Sequence, residues 1–187
     1  LVDLIELEML ELTIPLTGKF DLAWLNASRV TSIVLNNIRP LGVDGLSGTL
    51  EPVRRLSSLT QFFLSNHKGI SGTLEPLRSL GQLSFLSLPY CSLTGDLSVL
   101  NTMNVLQFAS LLGNVLSGSV QLVLPSVTYL DVALNRIQGR MDTIKAPKLT
   151  HLNATSNDFD PHLGLFTYLN ASQGCLLDLG HNDFICP

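Results

Sequence analysis

Four histidines, three cysteines and one short acidic run are the groups in this 187-residue chain that invite a catalytic or metal-binding reading. The run Asp158-Phe159-Asp160-Pro161-His162 sets two carboxylates and an imidazole within five residues. A calcium loop needs oxygen donors at alternate positions, and a zinc site needs paired Cys or His at set offsets. The run offers neither and reads as a solvated turn. Gly42, Gly45 and Gly48 are spaced like a loop that cradles phosphate. No Lys-Ser/Thr follows them and no helix opens there, so they read as turn glycines. The histidines are scattered: His67 and His181 near turns, His151 in a strand-like stretch, His162 in a return loop. No Ser, Cys or His stands in a nucleophile motif. The expectation is a non-enzyme that needs no metal or cofactor.

The spacing of the leucines says more. Leu130, Val132, Asn135, Ile137 and Gly139 follow Val127 at the offsets of Leu-x-x-Leu-x-Leu-x-x-Asn-x-Leu-x-Gly. Leu106, Ala109, Leu111, Asn114, Leu116 and Gly118 repeat it, as do Leu83, Leu86, Leu88, Cys91, Leu93 and Gly95. Looser copies lie on both sides. The copies begin at residues 7, 30, 59, 83, 106, 127, 149 and 174, which are intervals of 21 to 29 residues. In Leu-x-Leu the two leucines fall on one side of an extended chain, so each copy contains a short strand. Glycines, together with Pro52, Pro76, Pro125 and Pro147, then turn the chain back. One such coil cannot bury its own leucines, but stacked coils can. The position eight residues after each start, read as Pro15, Ile38, His67, Cys91, Asn114, Asn135, Asn157 and Asn182, needs a small polar group to satisfy turn backbone inside the coil. Asn37 and Asn66, one residue early, are candidates to substitute in the two early copies.

This pattern resembles the leucine-rich repeat family over nearly the whole chain. Gly48-Thr-Leu50-Glu-Pro52 and Gly72-Thr-Leu74-Glu-Pro76 resemble the plant-type, receptor-like extracellular subclass, repeats of which also occur in protist surface proteins. The resemblance implies an α/β solenoid: a horseshoe with a parallel concave sheet and short 3-10 or irregular segments on the convex side. It implies one domain, residues 1–187, of about eight repeats. The chain lacks an initiator Met and stops inside its last repeat, so it is expected to be a fragment of a longer protein. Members of the family usually bind proteins, peptides or glycans. Secreted members often staple the last coil with a disulfide, and Cys175 with Cys186 is the candidate pair, one on each side of the last strand. Cys91 takes a ladder position and is expected to be buried and unreactive.

Forty leucines in one chain fit a single core drawn out along a solenoid. No apolar run reaches the 18 or so residues that span a bilayer. Asp3, Glu6, Glu8 and Glu11 interrupt the first stretch, so no signal peptide is expected within it. That acidic cluster and a net charge of −4 argue against nucleic acid as a partner. Asn26, Asn153 and Asn170 lie in glycosylation sequons. An extracellular or cell-surface location is expected from the subclass resemblance and the terminal Cys pair, with a cytoplasmic location as the alternative.

Within each strand the residues between buried leucines face the concavity. One column reads Met9, Ser32, Gln61, Phe85, Phe108, Tyr129, His151 and Leu176. The next contains Phe63, Asp131, Asn153 and Asp178. The candidate ligand-binding residues are Phe63, Phe85, Phe108, Tyr129, Asp131 and His151. Contiguous aromatic surface beside polar groups suits a protein, peptide or sugar, and it would equally stiffen the sheet. Eight strands at about 4.8 Å make a face roughly 34 Å long and, at five residues, about 16 Å wide. That is below the roughly 800 Å² per partner of a standard protein interface. An insertion, Arg39-Pro-Leu-Gly-Val-Asp44, adds a candidate rim loop. The expected function is a receptor-like recognition module. A cytosolic scaffold or regulator and a secreted hydrolase inhibitor are the alternatives.

Overall fold

The Leu-x-Leu segments fold as strands that stack in register. The computed structural model describes residues 7–23, 25, 29–38, 45–160 and 175–182. Eight strands form one parallel sheet in sequence order: Met9–Thr13, Ser32–Asn36, Gln61–Ser65, Phe85–Ser87, Phe108–Ser110, Tyr129–Asp131, His151–Asn153 and Leu176–Asp178. Each coil therefore pairs only with the coil before and the coil after it. The column from Met9 to Leu176 is reproduced residue for residue. Leu130 and Val132 are buried, as are the coil-opening residues Val30, Leu59, Leu83, Leu106, Val127 and Leu149. One continuous core runs from Phe20 to Phe159.

The other side of the coil is built from short strands and 3-10 turns. Gly18–Lys19, Leu46–Thr49, Gly69–Gly72 and Ser92–Leu93 form one parallel sheet; Ser117–Ser119, Arg136–Gly139 and Asp158–Phe159 form another. The 3-10 turns are Glu51–Val53, Glu75–Leu77, Ser98–Thr102 and Met141–Thr143. Pro52 and Pro76 sit at the start of the first two, where a missing N–H costs nothing. No α-helix occurs among the described residues. The result is the leucine-rich repeat solenoid, with a parallel inner sheet and a convex side of 3-10 and extended segments.

The polar ladder ties the coils together. Asn114 accepts the Leu93 N–H at 3.0 Å and donates to the Leu88 and Leu111 carbonyls at 2.8 and 3.0 Å. Asn135 does the same for Leu116, Leu111 and Val132. Asn157 and Asn182 accept from Ile137 and Phe159. The Cys91 thiol donates to the Leu64 carbonyl at 3.5 Å, and burial pushes its pKa up to about 12. In the third coil His67 itself takes the position. It is fully buried, with Nδ1 accepting the Leu46 N–H at 3.0 Å and Nε2 3.1 Å from the Leu35 carbonyl. Asn66 does not replace it, but in the second coil Asn37 is buried while Ile38 is exposed; Asn37 and Asn66 exchange side-chain bonds with each other's carbonyl, at 3.0 and 3.4 Å.

Candidate functional site

The side chains between the leucines of four successive coils form one continuous stripe. Ring centroids lie 6.4 Å apart for Phe85–Phe108, 4.6 Å for Phe108–Tyr129 and 6.0 Å for Tyr129–His151. The pitch of the sheet sets these separations, because parallel strands hold equivalent residues side by side. Phe108 and Tyr129 are nearly parallel, with an interplanar angle of 8°. Phe85, Phe108 and Tyr129 are half-buried and His151 is exposed. His151 Nδ1 lies 2.9 Å from Thr150 Oγ1, which orients the ring at the end of the stripe.

A second column runs beside the rings: Phe63, Ser87, Ser110, Asp131, Asn153 and Asp178. Phe63 is half-buried on this face, as the alternation requires. Asp131 departs from expectation. Strand alternation turns it toward the concavity together with Tyr129, which led to the expectation of a solvent-facing carboxylate. It is instead only 5% exposed. The inner surface of a curved sheet crowds its side chains, and the carboxylate folds back so that Oδ1 accepts the Ala133 N–H at 3.1 Å. Burial raises its pKa above the ordinary aspartate value, opposed by that bond. Burial, and secondarily the Asp131 charge, raises that of Tyr129. Asn153 is half-buried, and its Oδ1 accepts from the Thr155 N–H and hydroxyl at 3.2 and 2.7 Å.

Cys175 carries a free, half-buried thiol; its expected partner Cys186 lies outside the described residues, as do Asn26, Asn170 and the Arg39–Asp44 insertion. Of the acidic run, Asp158–Phe159 forms a convex strand with Phe159 in the core, and His162 lies outside the described residues. No group of three or more His, Cys, Asp or Glu converges on a metal position among the described residues. Sequence reading missed a cleft of about 680 Å³ on the outer side of the coil. Phe20, Leu22 and Leu56 line it, with Lys19, Glu51 and Arg55 also contributing. Such a cleft joins residues from separate coils and has no signature within one repeat.

No family model matches the chain, and no curated protein matches it in sequence. Solved structures do match. The Arabidopsis receptor kinase HAESA ectodomain, in complex with an N-terminally extended IDA peptide hormone, aligns with a TM-score of 0.70 at 20% identity, over 94% of this chain and 33% of that one. Pollen Receptor Kinase 3 aligns at 0.62 and 23% identity, over 81% and 74% of the two chains. A plant ice-binding protein aligns at 0.59 and 18% identity, over 97% and 74%. The chain spans about a third of the HAESA ectodomain in its crystal. Repeat pattern, inner sheet and neighbours together define a leucine-rich repeat solenoid, similar in fold to plant receptor kinase ectodomains. The ice-binding neighbour shows that this fold also serves proteins other than receptors.

Proposed function

We propose that the chain is a non-enzymatic recognition module, the ligand-binding part of a receptor-like protein at the cell surface, and that it holds a peptide, protein or glycan ligand on its concave face. The observation that carries this reading is the stripe Phe85–Phe108–Tyr129–His151, four rings in contact on the inner sheet. Rings partly open to solvent beside a polar column are the surface that recognition sites use. The structural neighbours support it, since the HAESA ectodomain was solved with the peptide hormone IDA and RGFR1, a plant peptide hormone receptor, with RGF2. The extracellular setting is inferred from the same neighbours. Among the described residues no helix is long and apolar enough to cross a membrane.

The competing role for the stripe is stiffening of the sheet, and Phe108→Ala separates the two. A random peptide display library is panned against the chain, and the strongest binder is then titrated against wild type and variant. A contact residue loses about 1–4 kcal/mol of binding with little change in denaturation midpoint. A purely structural ring loses stability and leaves the affinity of the folded fraction intact, and that result would end the recognition reading for this stripe.

A further inference from the structure

The inward-facing positions of the eight concave strands carry Glu11, Asp131 and Asp178 and neither lysine nor arginine. Asp131 stands out among the three. Glu11 and Asp178 are exposed, so water satisfies their charge. Asp131 is only 5% exposed; its Oδ1 accepts the Ala133 N–H, and its Oδ2 has no partner among the described residues but keeps a small opening to solvent. No other group among the described residues bonds this carboxylate. It lies beside Tyr129 and between Ser110 and Asn153 of the adjoining strands.

Capping the strand end does not account for the charge. Asn153, the next residue in the column, makes the equivalent bond to the Thr155 N–H with a neutral amide. An amide therefore suffices for the cap. An ionised carboxylate at this depth costs desolvation that one backbone N–H only partly offsets. The upward displacement of its pKa expresses the same cost. A cationic donor arriving from the concavity would supply the missing partner.

The rings narrow the choice of ligand further. Phe108 and Tyr129 spend their facing surfaces on each other, at 4.6 Å and 8°. What they present to the concavity is ring edge, where the quadrupole is positive. A pyranose lies on an open ring face, which this pair does not offer. Ring edges accept aliphatic side chains and backbone carbonyl oxygens instead. A negatively charged ligand would meet three carboxylates and no countercharge.

We infer that the concave face binds an extended peptide segment through a basic side chain, whose guanidinium or ammonium group bonds the Asp131 carboxylate while the flanking residues cover the Phe108–Tyr129 edges. Arginine fits best, because its planar fork can bond the carboxylate and still donate to the Ser110 hydroxyl oxygen on the adjoining strand. At about 3.3 Å per residue, a face roughly 34 Å long accepts about ten residues of extended chain. The inference rests on the proposed concave site and gives its ligand a charge.

The test uses the same random peptide library, panned in parallel against wild type, Phe108→Ala, Asp131→Asn and Asp158→Asn. Asp131→Asn keeps the cap, as Asn153 does, and its denaturation midpoint should equal or exceed that of wild type because a buried charge is gone. Asp158→Asn makes the same charge change on an exposed convex strand and controls for non-specific attraction. Wild-type binders should carry an Arg or Lys at a fixed distance from an apolar residue. Their affinity should fall about tenfold or more in Asp131→Asn and stay unchanged in Asp158→Asn. Citrulline in place of the arginine should cost as much, with no further loss when combined with Asp131→Asn. Binders that need Phe108 but contain no basic residue, or that ignore Asp131→Asn, would overturn this inference and leave concave recognition standing. If no captured peptide depends on Phe108, both readings fail.

Discussion

His67 has no exposed surface, and each of its ring nitrogens has a task. Because Nδ1 accepts the Leu46 N–H, that nitrogen carries no proton, and Nε2–H donates to the Leu35 carbonyl. Burial pushes the imidazole pKa below its ordinary value, and the Leu35 bond only partly opposes this. An unfolded histidine takes up a proton near pH 6.5, whereas the folded one does so only at lower pH. Between those two values the unfolded chain binds more protons. The contribution of His67 to stability is thus complete above the unfolded value, declines as pH falls through the window and levels off below the folded value. Urea midpoints measured from about pH 7.5 down to about 5 should fall more steeply for wild type than for His67→Asn, which keeps a polar ladder group without the titration. Parallel curves would refute this. Cys91, with its pKa near 12, has no comparable switch and should resist alkylation until the chain unfolds.

The turn that ends each concave strand repeats one backbone device. The residue before the ladder position adopts a left-handed conformation in Asn66, Tyr90, Gly113, Leu134, Ser156 and His181, with φ between 54° and 68°. Of these six, only Gly113 escapes the Cβ penalty, and the Tyr90 ring has moved into the space a side chain would need, 2.6 Å from where a Cβ would lie. Leu134 is a bulky residue in a strained conformation that leaves 48% of its surface exposed. The strain costs about 1–2 kcal/mol, and glycine returns part of that gain as backbone entropy. Leu134→Gly should therefore raise stability by about 0.5–1 kcal/mol, read as a higher thermal midpoint. A lower midpoint would mean that the leucine covers something it needs. The strands and their register were legible in the sequence because one alternation decides both. Gln61 and Phe63, which follow an insertion, fell into the expected columns for that reason. The depth of Asp131 was not legible, since alternation gives the face but not how neighbouring side chains close over it. His67 as a ladder residue was half legible: its position fits the count, but nothing in the repeat says that an imidazole can do the work of an amide.

Along the whole molecule each coil is held by different neighbours at the two ends of its strand. At the start of a strand the N–H groups point backward: those of Thr128 and Tyr129 bond the Gln107 carbonyl of the preceding coil. At the end of the same strand they point forward. Val132 and Leu134 donate to Asn153 and Thr155, and Ile137 donates to the Asn157 side chain. The coils thus overlap like roof tiles, and a cut exposes a different edge depending on the side from which it is made. Removing everything from residue 149 onward should strip protection from Val132, Leu134 and Ile137 while Thr128 and Tyr129 stay slow in amide hydrogen exchange. Removing everything before residue 106 should free Thr128 and Tyr129 once the coil that supplies Gln107 unravels, and spare the other three. Equal exchange at both strand ends in either truncation would sink the idea. The candidate ligand carboxylate, Asp131, sits on the forward-held edge, so an unravelling that advances from the later coils should abolish ligand capture before the core of its own coil is lost.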